Sequence, residues 1–248
     1  MAGSLALWFP ISVAGIFGRS GRLSFRLCQA WVWTANQVTF VNVTTRRIGN
    51  APLDLDRNYV IMANHQSFLD IPALMLKVGI PFRWVIKKEF AYLPLFGWGL
   101  YLARHIFINR SHPKQAIKSM DEAAKQLPKG VGIAVFPEGT RADNGVVKPF
   151  KAGGFLMAIR AGMPILPVTI NGSWRIMPNK KSLVFHPGPI ELVIGDPIET
   201  DGCTRKDVAD LMARTRNQIL GNLDPDFPKR RQDVASGVEE GRHIASAQ

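Results

Sequence analysis

Beyond residue 55 the chain alternates short apolar runs with longer stretches of helical character. The runs Tyr59 to Ala63, Trp84 to Ile86, His105 to Ile108, Val131 to Phe136, Ile165 to Ile170, Leu183 to Phe185 and Glu191 to Ile194 predict β-strands. Between them, Ile71 to Val78, Pro113 to Leu127, Gly153 to Ala161 and Thr204 to Leu220 predict helices, and Ser111 or His112 before Pro113 suits a helix start. Strands that alternate with helices imply an α/β layer architecture. The expected fold is a mostly parallel central sheet flanked by helices, with central strands buried on both faces. No repeat period is visible.

The pattern before residue 55 is different. Residues 1–18 carry no charged side chain, and Arg19, Arg22 and Arg26 follow. A spanning helix needs about 20 apolar residues, and Pro10, Gly3, Gly15 and Gly18 weaken this stretch further. A secretory signal would place its basic residues before the apolar run, so the segment is expected to stay in the mature chain. Residues 23–40 combine Phe25, Trp31, Trp33 and Phe40 with few charges, the mix of aromatic anchors at a bilayer interface. Residues 1–45 are therefore expected to form an N-terminal membrane-associated helical pair; two helices of a soluble core are the alternative. An α/β domain is expected over 46–228 and a polar, pattern-free tail over 229–248.

Composition narrows the classes. There are 31 Lys+Arg against 19 Asp+Glu, a formal net charge of +12, and no acidic residue before Asp54. With 46% hydrophobic residues the chain can bury a core, which excludes a disordered protein. The basic balance suits anionic partners, yet no RNP-like motif, zinc-finger spacing or dense Lys/Arg run supports nucleic acid. The cysteines Cys28 and Cys203 supply neither a disulfide framework nor a metal motif, and the histidines show no ligand spacing, so no metal is expected. A reducing, cytosol-facing compartment fits this usage.

Candidate chemistry collects in four places. Asn64-His65-Gln66-Ser67-Phe68-Leu69-Asp70 follows the strand YVIMA directly. An uninterrupted helix would hold His65 and Asp70 roughly 140° apart. With His65 in the turn and Asp70 in the first helical turn, Ser67 acting as N-cap, the carboxylate can fold back onto the imidazole and make it a base. The alternative is a plain helix start, with Asp70 favoured by the helix dipole. Phe136-Pro137-Glu138-Gly139-Thr140-Arg141 closes another strand, and its glycine, hydroxyl and guanidinium suit a phosphate cradle. Glu138 would there accept from a polyol hydroxyl or a neighbouring cation; an Arg141/Glu138 surface pair is the alternative. The third place, Arg104 to Arg110, brings Arg110 to the end of a parallel strand, facing the same crevice. The fourth, ILPVTIN over 165–171, reads as a packing strand.

NHQSFLD, RHIFINR, FPEGTR and LPVTI stand in the order and approximate spacing of the four motif blocks of the glycerolipid acyltransferase family. The chain resembles that family, and within it the bacterial 1-acyl-sn-glycerol-3-phosphate (lysophosphatidic acid) acyltransferases, over roughly residues 55–200. The stretches from Lys87 to Trp98 and from Pro149 to Gly154 also match its text.

The resemblance implies that His65 is the general base on the acceptor hydroxyl, oriented by Asp70, and that the hydroxyl attacks an acyl thioester without an acyl-enzyme. It further implies that Arg110, Glu138, Gly139, Thr140 and Arg141 bind the acceptor's phosphate and glycerol, with Lys87 assisting. Asn109 stands where many relatives have Asp, so no acidic role carries over to it. The expected reaction turns lysophosphatidic acid into phosphatidic acid at the cytoplasmic face of the inner (plasma) membrane. No cofactor is expected; acyl-CoA or acyl carrier protein would be the co-substrate. Another lyso-lipid or glycerol 3-phosphate as acceptor, a Ser-His-Asp esterase, and a non-catalytic membrane lipid-binding protein are the alternatives. The esterase reading lacks a GxSxG elbow.

Overall fold

The structure, a computed structural model, describes residues 22–227 apart from 50–51, 95, 110, 143–144 and 178–184. The elements run α1 (Arg22–Thr39), β1 (Asn42–Arg47), β2 (Val60–Ala63), α2 (Asp70–Lys77), β3 (Phe82–Lys87), a 3₁₀ turn (Lys88–Tyr92), α3 (Phe96–Leu102) and β4 (Ile106–Ile108). Then follow α4 (Pro113–Lys125), β5 (Gly132–Val135), α5 (Gly153–Ala161), β6 (Ile165–Asn171), α6 (Ser173–Ile176), β7 (Pro189–Ile194) and α7 (Val208–Gly221).

The strands form one seven-stranded sheet in the order β1-β7-β6-β2-β5-β3-β4. All pairings are parallel except β6 with β7, where Val168 faces Ile194 and Asn171 faces Glu191. Since β1 pairs parallel to β7, those two strands run against the other five. Every residue of β2 and β6 is buried. Their side chains alternate between two cores, because successive residues of a strand point to opposite faces. Ile61, Ala63, Leu166 and Val168 pack with Leu74 and Trp84, whereas Val60, Met62 and Ile165 pack with Phe155 and Met157. The expected α/β architecture is thus present.

Some elements depart from the pattern. β1, of sequence NVTTRR, was not expected, since only Val43 in it is fully buried; its partner β7 supplies the apolar side of that edge. β1 begins at Asn42, so it straddles the expected start of the α/β domain at 46. The run Leu183 to Phe185 forms no strand at Phe185, and residues 183–184 lie outside the described residues. So do residues 1–18 and the tail 229–248.

Of the expected N-terminal pair, α1 is the described member, and it is two-faced. Cys28 and Val32 join the core, Phe25 meets Phe82 edge-on at 5.1 Å, and Gln29 Nε2 donates to Met75 O at 2.7 Å. Leu23, Leu27 and Trp33 face outward. No helix among the described residues is long and apolar enough to cross a membrane.

Candidate active site

Because β2, β5, β3 and β4 are parallel neighbours, their C-terminal ends deliver His65, the 136–141 turn, Lys87 and Asn109 to one rim of the sheet. That rim is where open α/β sheets place their ligands. Asn64 fixes the end of β2 from its far side: its Nδ2 donates to Ile170 O at 2.9 Å and its Oδ1 accepts from Ile170 N at 2.7 Å. His65 therefore leaves the sheet at an anchored point.

His65 Nδ1 lies 2.8 Å from Asp70 Oδ2. The same oxygen accepts from the backbone N–H groups of Gln66 at 2.6 Å and Ser67 at 2.8 Å. An oxygen that collects backbone donors is an acceptor toward the ring as well, so Nδ1 carries the proton and Nε2 keeps its lone pair. Asp70 is fully buried at the first residue of α2, whereas the His65 side chain is 15% exposed. The carboxylate is sheltered and the imidazole is partly open to solvent. The ring is stacked on Phe136 at 3.8 Å and 7°, and Phe136 on Trp84 at 5.3 Å, which fixes the plane of the imidazole.

The expected Ser67 cap is not formed. Leu69 occupies the N-cap position with helical dihedrals and no side-chain cap, because Asp70 reaches back to the Ser67 N–H instead. Ser67 is 1% exposed and its Oγ accepts from Leu69 N at 3.3 Å, which leaves it no access to a substrate carbonyl. The esterase alternative loses its nucleophile.

Glu138 sits differently from its expected place in a polyol pocket. It is 2% exposed, and both carboxylate oxygens are taken by backbone: His65 N donates at 2.7 Å and Lys148 N at 2.8 Å. The residue clamps the His65 loop to the 145–148 segment. Burial pushes its carboxyl above the ordinary range, opposed by these two N–H donors and by His65. A third tie, Ala142 N to His65 O at 2.8 Å, completes the junction of the two motif loops.

Gly139 has a φ of +72°, open to glycine at little cost. A Cβ there would lie 2.9 Å from Lys151 Nζ and 3.2 Å from its Cδ, so the Lys151 stem crosses the turn at that point. Thr140 is exposed beside it. The Arg141 guanidinium stacks over Phe68 at 3.4 Å, and its carbonyl accepts from Lys148 Nζ at 2.6 Å. A guanidinium, an ammonium and a hydroxyl thus belong to or cross a turn that is hydrogen-bonded to the His65 backbone, a set of donors suited to phosphate.

Direct contacts join His65 to Asp70 and to Glu138, and Gly139, Thr140 and Arg141 follow in the same turn, with Arg141 linked through Phe68 and Lys148. Lys87 stands at the rim with its ammonium 3.4 Å from Glu89. Arg110 lies outside the described residues. Sequence reasoning gave no role to Lys151, Phe136, Phe68 or Asn64. The stretch PFKAGG signalled the lysine, but nothing in one dimension places it over Gly139. Among the described residues no group of three His, Cys, Asp or Glu side chains is placed to hold a metal ion.

The family model described as Acyltransferase matches residues 40–171, which takes in β1 to β6 and both motif loops. A 1-acyl-sn-glycerol-3-phosphate acyltransferase of Pseudomonas aeruginosa is 31% identical over 91% of this chain and 89% of its own length. One of Chlamydomonas reinhardtii is also 31% identical over 82% of the chain, but the chain spans only 60% of that relative. The human 1-acyl-sn-glycerol-3-phosphate acyltransferase alpha is 38% identical over 65% of the chain and 57% of its own length. The crystal structure of PlsC, the 1-acyl-sn-glycerophosphate (LPA) acyltransferase of Thermotoga maritima, superposes with a TM-score of 0.68 at 26% identity, covering 84% of this chain and 83% of that one. The family model spans more than half of the chain and the Pseudomonas relative nearly all of it, and the chain belongs to the acyltransferase family.

Proposed function

We propose that the chain is a 1-acyl-sn-glycerol-3-phosphate O-acyltransferase, which moves a fatty acyl group from an acyl thioester to the free hydroxyl of lysophosphatidic acid and yields phosphatidic acid. The observation that carries this reading is the 2.8 Å contact of His65 Nδ1 with buried Asp70, tied through Glu138 to a turn rich in phosphate donors. His65 Nε2 takes the proton of the acceptor hydroxyl as its oxygen attacks the thioester carbonyl. The tetrahedral intermediate collapses, the carbon–sulfur bond breaks, and the imidazolium returns its proton to the departing thiolate. Asp70 stabilises the imidazolium between those two transfers.

Arg141, Lys151 and Thr140 hold the phosphate, and Lys87 at the end of β3 and Arg110 act as further cations. Glu138 and Gly139 act through shape: the first fixes the His65 backbone, the second leaves room for Lys151. A thioester has a good leaving group, so the protein must supply mainly the base and the alignment, worth about 10²- to 10⁴-fold for the base alone. No cofactor enters the reaction.

The acceptor is a bilayer lipid and the donor, acyl-CoA or acyl carrier protein, is polyanionic, which suits a chain of net charge +12. The reading places residues 1–45 at the membrane, 46–228 as the acyltransferase domain on its cytoplasmic face and 229–248 as a tail. The test is His65→Ala with labelled lysophosphatidate and acyl-CoA or acyl carrier protein. Loss of transfer with unchanged lysophosphatidate binding is expected. Retained transfer would remove His65 as the base.

A further inference from the structure

Between the Lys87 end of β3 and the return into β4, the chain makes an excursion through the 3₁₀ turn Lys88–Tyr92 and α3. It carries Phe90, Tyr92, Leu93, Trp98 and Tyr101 in the open, with Tyr92 76%, Tyr101 72% and Trp98 62% exposed. Elsewhere in the described residues beyond Phe40, the exposed large hydrophobics are Leu55, Phe68, Ile71 and Val146, no more than two of them near one another in the sequence. Scattered single residues of that kind are ordinary on a protein surface, whereas a concentration marks a contact site.

The packing explains why these side chains point outward. A Cβ on Gly97 would stand 2.4 Å from Ala91 O and 2.5 Å from Phe90 O, so α3 lies backbone against backbone on the 3₁₀ turn. Gly97 N donates to Leu93 O at 2.7 Å and closes the unit. Backbones that touch leave no space between the two segments for large side chains. On α3, Gly97 and Leu100 turn inward, and Trp98 and Tyr101, three positions apart, share the outer face.

The residue types specify the partner. Trp and Tyr carry a large apolar ring with a polar edge, the combination that settles at the boundary of head groups and acyl chains. Lys88 enters the segment and exposed Arg104 leaves it, cations at both ends for lipid phosphates. The excursion starts at the same sheet rim as His65 and the 136–141 turn.

We propose that residues 88–102 form a bilayer-contacting element of their own, separate from residues 1–45. In it Phe90, Tyr92, Leu93, Trp98 and Tyr101 enter the interface of an anionic phospholipid membrane, with Lys88 and Arg104 at the phosphates. Its purpose rests on the reading that the acceptor is a bilayer lipid, but its binding is measurable without turnover.

The full-length chain is mixed with vesicles of phosphatidylcholine and phosphatidylglycerol and its partition is measured. The variant Trp98→Ser/Tyr101→Ser is expected to partition about tenfold more weakly or worse. It should keep the unfolding curve of the parent and its turnover on a short-chain acceptor dissolved as monomers. Unchanged partition overturns the proposal, as does an equal loss of turnover on the dissolved acceptor, which would make the two rings part of the substrate site.

A second measurement needs no substitution. Hydrogen exchange of the parent chain should slow across 90–101 when vesicles are added, and unaltered exchange there overturns the proposal. Acyl transfer that survives His65→Ala would sink the functional reading and leave both membrane measurements standing.

Discussion

Replacing Glu138 by Gln separates two roles for the acid of the 136–141 turn, a ligand for substrate hydroxyls and a clamp on the catalytic loop. Gln has the same shape, but one oxygen becomes an NH₂. Of the two backbone donors now held, His65 N at 2.7 Å and Lys148 N at 2.8 Å, one would then face another donor. A hydrogen bond to a charged group contributes about 1.5–3 kcal/mol, and a buried N–H left unpaired costs about 1–3 kcal/mol. Relief of a buried carboxylate offsets part of this, which leaves a net loss of about 2–4 kcal/mol of stability. Release of the His65 backbone also lets the imidazole drift, and a displacement of about 1 Å costs about 10²-fold in rate.

Steady-state kinetics over acceptor concentration, with denaturant unfolding of the same samples, reads both effects. The clamp predicts that kcat falls about 10²-fold while the acceptor KM stays within about threefold. Glu138→Asp should behave in the same way, since the shorter side chain cannot span both amides. A raised acceptor KM with kcat and stability intact would refute the clamp and return Glu138 to the substrate pocket.

Asp70→Asn keeps the shape of the buried side chain but places a donor or a neutral oxygen against His65 Nδ1, and kcat should fall about 10²- to 10⁴-fold with the acceptor KM little changed. Full activity in that variant would remove Asp70 from the chemistry. Lys151→Met takes the ammonium from above Gly139 and should raise the KM for lysophosphatidate about tenfold or more, with the donor KM unaltered; equal effects on both substrates would contradict a phosphate role. His105 is partly buried with its Nδ1 accepting from Trp84 N at 3.1 Å, and desolvation together with the Arg83 charge pushes its pKa from 6.5 down to about 4. Above pH 6.5 the imidazole is neutral in both folded and unfolded chain. Between 6.5 and about 4 only the unfolded chain takes the proton, so stability falls as pH falls, by on the order of 3 kcal/mol at the lower end. His105→Asn keeps an acceptor for Trp84 N–H and removes that titration, so its urea midpoint should fall less steeply over this window; parallel curves would contradict the assignment.

The local pattern of the sequence settled a good part of the molecule. The alternation of VIMA and ILPVTI with helical stretches requires strands buried on both faces, and β2 and β6 are so. The spacing of His65 and Asp70 permits a contact if His65 lies in the turn and Asp70 in the first helical turn, and Asp70 does open α2, although Ser67 does not cap it. These features are legible because burial, helix starts and turns depend on residues within a few positions of one another.

Other features were decided only by the fold. β1 reads as polar and exists because β7 offers it a partner; the pairing energy comes from a strand far away in the chain. The Glu138 clamp joins residues 73 positions apart, and Lys151 reaches Gly139 only because Lys151 N donates to Pro137 O at 2.8 Å. The outward turn of Trp98 and Tyr101 follows from a backbone contact at Gly97 that periodicity does not encode. Hydrogen-bond partners across such distances are set by strand order and register, which arise from the packing of the whole chain, so the residue types were available in the sequence and their partners were not.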